Sequence, residues 1–210
     1  MRSIIQVVIM EGGWKTKGKI LRKQEIMEAA LDLFSQMGFH NTTMAQIAQR
    51  AGVGVGTLYQ HFQGKEELYH SLLEDKCNRL LETLRALVKE EDSTEENLKR
   101  LLTAQIDFVE KHRSFFKLYL SEQLATLEAV REKLGLKADV IYARFFQLFQ
   151  GIMDQGVKKG ELRDLPSTYL TRAYMGILNS FFFDWLKGNL ESLRGNQDTI
   201  LSLFMKGAKK

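Results

Sequence analysis

Apolar side chains recur along the first third of the chain with a helical period. Ile26, Ala29, Ala30, Leu33, Phe34 and Met37 stand at i, i+3, i+4, i+7, i+8 and i+11, one stripe of an amphipathic helix over residues 17–37. Gly38 supplies a left-handed stop, and Phe39 can fold back on the helix end. A second helix opens at Thr43. Thr43 and Gln46 have the spacing of a capping box, and Met44, Ile47, Ala48 and Ala51 give its buried face. Gly52 then forces a turn, in which Val53 is an apolar plug between helices. A third, short helix spans residues 55–62, with Leu58 and Phe62 at i and i+4 facing inward. Two short helices joined by a glycine-containing turn make a helix-turn-helix unit.

The turn lies in the run AGVGVGTLYQHF, residues 51–62, whose glycines invite comparison with a phosphate-cradling loop. Such a loop follows a strand and carries G-x-G-x-x-G or GK[ST]. Here a capped helix precedes the glycines and neither pattern is present. Gly52 makes the turn, while Gly54 and Gly56 leave the front of the third helix bare, so that its backbone can approach a partner closely.

Beyond residue 64 the pattern stays helical. A long helix over 65–88 carries Leu68, Leu72, Leu80, Leu81, Leu84 and Leu87, with Cys77 among them as a small apolar residue. The polar stretch 90–97 is a break. Further helices are expected over residues 95–111, 114–124, 137–158, 167–187 and 196–206. Residues 160–166 form a loop holding the only proline, with Ser167 as the following cap. The helix over 167–187 is apolar on two sides, with Tyr174, Ile177, Leu178, Phe181 and Trp185 on the broad one and Met175, Phe182 and Leu186 on another. A helix of that kind is buried on both sides, one against its own domain and one against a second subunit. The chain is therefore expected to be all-α: a flexible tail over residues 1–16, a helix-turn-helix domain over 17–64 and a helical domain over 65–210.

Charge sharpens this picture. Residues 14–65 carry seven Lys or Arg against three acids, whereas residues 66–210 carry 22 of each sign, so the net charge of +4 sits in the first third. That is the footprint of a small region facing a polyanion. Lys15, Lys17 and Lys19 could form a basic arm. The single Cys77 rules out an intramolecular disulfide framework and fits a reducing cytoplasm. No apolar run approaches the ~20 residues of a membrane span. The apolar start MRSIIQVVIM is better read as a tail, or as residues preceding a true start at Met10, than as a signal peptide. His40, His61, His70 and His112 share no metal-ligand spacing. No HExxH, GxSxG or paired-carboxylate constellation appears, so neither an enzyme nor a cofactor or metal site is expected.

The run from Thr42 to Leu68, TTMAQIAQRAGVGVGTLYQHFQGKEEL, resembles the DNA-binding signature of the TetR family of transcriptional regulators. The resemblance covers about residues 19–73 by motif and the remainder by length and helical character. It implies a DNA-binding helix-turn-helix domain followed by a helical domain for effector binding and dimerisation.

Roles follow for single residues. Thr43 sits at a helix N-terminus, where amide groups and the dipole favour a phosphate. Lys65 opens the fourth helix, a position that suits a cation if a phosphate lies there too. In the family, Tyr59 and His61 contact phosphates. The base-reading face is Val55, Gly56, Thr57 and Gln60. Gln60 can pair with adenine, and Thr57 or Val55 can touch a thymine methyl. Many relatives carry a polar or basic residue where Val55 and Gly56 stand, so shape readout gains weight here.

The resemblance also implies that the last two helices form the dimer interface, assigned to Tyr174, Ile177, Leu178, Phe181 and Trp185, and that the middle helices enclose an effector pocket. Ten of the thirteen phenylalanines follow residue 91. Phe108, Phe116, Tyr119, Phe145, Phe149 and Phe182 could line a cavity for a lipophilic ligand, with Gln123, Tyr142 and Asn179 as polar contacts. The expected function is a homodimeric repressor that reads an inverted repeat in double-stranded DNA and leaves it on binding a small lipophilic effector, without any membrane partner. The alternatives are a DNA-binding dimer with no small-molecule effector, controlled by a protein partner, and an activator.

Overall fold

The structure is a computed structural model that describes residues 21–117 and 129–210, with side chains throughout except at 129–139. The expected tail, the basic arm, Tyr119 and Gln123 lie outside the described residues. Nine α-helices are described: α1 (residues 21–37), α2 (Met44–Arg50), α3 (Val55–His61), α4 (Lys65–Leu87), α5 (Thr94–Lys111), α6 (residues 113–117), α7 (Ala129–Lys158), α8 (Ser167–Lys187) and α9 (Gln197–Ala208), with a 3-10 turn at Arg194–Asn196. Among the described residues there is no strand, only an isolated bridge between Leu162 and Lys209.

Two compact units divide between Leu73 and Glu74, later than the expected boundary at residue 64. The reason lies in α4, whose first turns place Leu68, Tyr69 and Leu72 in the N-terminal core. There they join Ile26, Ala30 and Phe34 of α1, Ile47 and Ala48 of α2, Leu58 of α3, and Phe62. Met37, expected at the end of the buried stripe, is exposed as the last residue of α1. Gly38 stops the helix with φ +81°. The chain then folds back so that the Phe39 ring lies 5.4 Å from Phe34 and 5.3 Å from Tyr69. The buried Thr42 hydroxyl donates to the Gly38 carbonyl at 2.8 Å, closing the connection to α2. Gly52 takes φ +65°, which costs a side-chain-bearing residue strain.

In the second unit α8 packs on α7 and α9, and α5 on α7 and α9. Leu98, Leu101, Leu102 and Ile106 of α5, Phe149 and Met153 of α7, Leu170 and Tyr174 of α8, and Ile200 and Phe204 of α9 fill the core. Ser93 and Glu96 form a capping box at the start of α5. The Glu161 carboxylate adds a second cap from the α7–α8 loop, accepting from the Thr94 amide at 2.6 Å. Gly156 permits this approach, since a Cβ there would lie 2.4 Å from Thr94 Oγ1 and 2.9 Å from Leu162. Pro166, not Ser167, holds the cap position of α8, with no side-chain cap bond. The helix α7 begins at Ala129, eight residues before its expected start.

Candidate DNA-binding surface and effector cavity

Sequence dictates which side of α3 is free. Leu58 and Phe62 are fully buried, so the remaining positions face outward or sideways. Val55, Gly56, Tyr59 and Gln60 are exposed, and Thr57 and His61 are half-buried. The four expected base-reading residues and two of the expected phosphate contacts thus share one short helix. Gly54 caps α3 without a side-chain hydrogen bond. A Cβ on Gly56 would meet nothing within 4 Å, and its φ is not positive, so this fold does not itself require glycine there.

Thr43 is exposed and caps α2. Its hydroxyl accepts from the Gln46 amide at 3.3 Å, while the Gln46 side chain accepts from the Thr43 amide at 2.8 Å. The reciprocal pair fixes how the chain enters α2. Arg50 at the far end is paired with Asp32 of α1 at 2.6 Å.

Lys65 differs from expectation. Its ammonium turns inward to the α1–α2 connection, donating to the carbonyls of Phe39 at 2.6 Å, Thr42 at 2.9 Å and His40 at 3.2 Å. It also stands 4.5 Å from the centre of the Phe39 ring. An ammonium has three donors, and all three are committed. Spacing alone could not reveal this, because the acceptors are backbone groups some 25 residues away.

The second unit holds a partly open cavity of about 720 Å³, within the range of small-molecule sites. All seven described residues of the expected pocket line it: Phe108, Phe116, Tyr142, Phe145, Phe149, Asn179 and Phe182. Phe108 and Phe116 meet edge to face, with centroids 6.1 Å apart. Arg144, beside Phe145 on α7, donates to Asn78 of α4 at 2.9 Å. Sequence reasoning missed Gln105 and Cys77, which also line the cavity. Burial pushes the Cys77 thiol up to about 12, which keeps it protonated and unreactive at neutral pH. Gln105 is 6% exposed, and its Oε1 is one of two buried side-chain atoms without a hydrogen-bond partner among the described residues. Its only sequence signal is a polar residue on the apolar face of α5.

The expected dimer face needs correction. Tyr174, Leu178 and Trp185 are buried in their own unit, at 1%, 3% and 8% exposure. Ile177 and Phe181 are half-buried and pack against the same core. The broad aromatic face has more area to bury, so the intramolecular core takes it. The exposed residues of α8 include Tyr169, Ala173, Gly176 and Ser180, and those of α9 include Leu203, at 54%.

Residues 26–72 match the family model described as bacterial regulatory proteins, tetR family. Residues 91–187 match the tetracyclin repressor-like C-terminal domain. The chain is 33% identical over 165 residues to the HTH-type transcriptional regulator RutR of Escherichia coli K12, covering 76% of each chain. It is 24% identical over 193 residues to the fatty acid metabolism regulator protein of Bacillus subtilis strain 168, covering 91% of this chain and 97% of that one. Its fold matches that of the transcriptional regulator FadR from Bacillus subtilis in complex with stearoyl-CoA, with a TM-score of 0.78 at 22% identity, over 88% of this chain and 98% of that one.

Proposed function

The chain belongs to the TetR family of bacterial regulatory proteins, and from that premise we propose that it is a homodimeric repressor released from an inverted-repeat operator by a lipophilic effector. The observation that carries the reading is the aromatic-lined cavity of about 720 Å³, in a chain whose other unit exposes one face of a recognition helix.

On the DNA side, Thr43, Tyr59 and His61 contact phosphates, and Val55, Gly56, Thr57 and Gln60 face base edges in the major groove. Lys65 acts through the fold: it ties α4 to the connection between α1 and α2 and so sets the height of Thr43. One short helix contacts few bases, and two such helices about 34 Å apart read a half-site each. The second copy docks on the exposed faces of α8 and α9, through Ala173, Gly176 and Leu203. The state that holds a lipophilic ligand need not keep the two recognition helices at groove spacing, so ligand and DNA oppose one another. The bound stearoyl-CoA named for the similar FadR structure supports a long apolar chain as part of the effector.

The test is selection of bound sequences from random duplex DNA at about 0.15 M salt, repeated with long-chain acyl compounds present. An enriched inverted repeat that loses protein on adding such a compound is the expected result. Enrichment unaffected by any lipophilic compound would favour a regulator controlled by another protein. Light scattering that returned a monomer at micromolar concentration would remove the dimer from the proposal.

A further inference from the structure

Gln105 stands among the most deeply buried apolar residues of α5. Leu101, Leu102 and Ile106 are all 0% exposed, and Val109 is 1%. A leucine at position 105 would suit such a face. A glutamine is costly there unless both ends of its carboxamide are satisfied, because a buried acceptor without a partner forfeits its hydration. Among the described residues Oε1 has no such partner, and the side chain lines the cavity. Orphaned buried groups of this kind are uncommon enough to require an explanation. The cavity supplies one, for it is the space from which a partner can come.

We infer, building on the effector reading above, that the effector sets a neutral hydrogen-bond donor within its apolar body, and that Gln105 reads it. A carbonyl oxygen accepts only, so its partner is a hydroxyl or an amide N–H. An ether, ketone or thioester offers no donor, and a plain saturated chain offers nothing polar. The donor is taken as neutral because, among the described residues, no Asp or Glu lines the cavity to pair with a buried ammonium. The other amide and hydroxyl side chains of the described lining, Tyr142, Asn179 and Ser180, are exposed residues. Gln105 alone among the four is buried, and it sets the depth at which the donor must sit. The chemical class is a hydroxylated or amide-bearing lipid.

The experiment compares dodecan-1-ol, dodecyl methyl ether and dodecan-2-one as probes on the full chain. Binding is measured by displacement of a polarity-sensitive dye and by thermal shift, for wild type and for Gln105→Leu. Wild type is expected to prefer the alcohol roughly tenfold, the worth of one buried hydrogen bond, and Gln105→Leu to lose that preference while still binding the ether. Equal binding of all three probes by wild type would overturn the inference while leaving the lipophilic cavity standing. A wild-type preference for the ketone would overturn it too, by showing that the carboxamide presents its NH2. If wild type bound none of the probes, the lipophilic-effector reading itself would fail and take the inference with it. The wild-type comparison decides the matter even if the variant does not fold.

Discussion

The Lys65 ammonium donates to the Phe39 carbonyl at 2.6 Å while standing 4.5 Å from the centre of the same residue's ring. One side chain thereby pins the segment between α1 and α2 from the start of α4. The hydrogen bonds to Thr42 and His40 make it a three-point clamp. Charge-assisted bonds of this kind are the stronger ones, and the carbonyls are left without this donor if it is removed.

Lys65→Met is therefore expected to lower stability by about 1–3 kcal/mol. It should weaken DNA binding through displacement of Thr43 while the slope of log affinity against log salt stays unchanged. Denaturant titration and binding across a salt series check both. A slope smaller by about one would assign Lys65 to a phosphate instead.

Gln60 is the exposed long polar side chain on the outer face of α3. Gln60→Ala is expected to relax preference at one base-pair position per half-site, at a cost of about 1–3 kcal/mol for the preferred base. Competition binding against a panel of single-base variants reads this. Equal loss on every sequence would count against base readout.

Gly56 separates folding from recognition. A methyl group added there meets nothing in the chain, and alanine is the better helix former by up to about 1 kcal/mol. Gly56→Ala should leave the melting temperature equal or higher. Should the α3 backbone come as near to DNA as proposed, the same change weakens binding several-fold. Thermal melting and a mobility-shift titration on one preparation give both answers.

Tyr174 is buried, its ring 5.1 Å from Phe149 and 5.4 Å from Phe204, and its hydroxyl has no partner among the described residues. Burial pushes its ionisation well above the usual phenol value. Tyr174→Phe keeps the ring packing and removes the orphaned hydroxyl. The variant should be as stable as wild type or more stable by up to about 1 kcal/mol. A loss of stability on denaturant titration would reveal a partner for the hydroxyl.

Glu161 gives an acid-sensitive contact. The Thr94 amide holds its carboxyl below the usual value of 4.5. A depressed folded value stabilises the native state above the unfolded value, and that contribution is lost as pH falls through the folded one. Glu161→Gln should therefore narrow the stability lost below about pH 4.5. Urea titrations from pH 7 down to pH 3 test this, and parallel curves for the two proteins would argue against it.

Much of this protein was legible from its sequence, and the reason is that the legible parts are local. Thr43 and Gln46 lie three residues apart and form their box wherever a helix starts. Leu58 and Phe62 fix which side of α3 is buried, because helical period alone decides it. Gly38 and Gly52 take the left-handed angles their positions require. The aromatic residues of the second unit could be assigned to a pocket as a class, since few other places hold so many rings. What only the tertiary structure decided depends on partners distant in the chain. Whether Lys65 meets a phosphate or three carbonyls depends on where residues 39–42 fold back. Which side of α8 becomes core depends on what α7 and α9 offer it: periodicity left two apolar sides open, and these helices took the aromatic one that had been assigned to a second subunit. Gln105 reads in the sequence as one polar residue on an apolar face. Only packing shows that its carbonyl oxygen lies beside a cavity without a partner among the described residues, because hydrogen-bond satisfaction is a property of the assembled core.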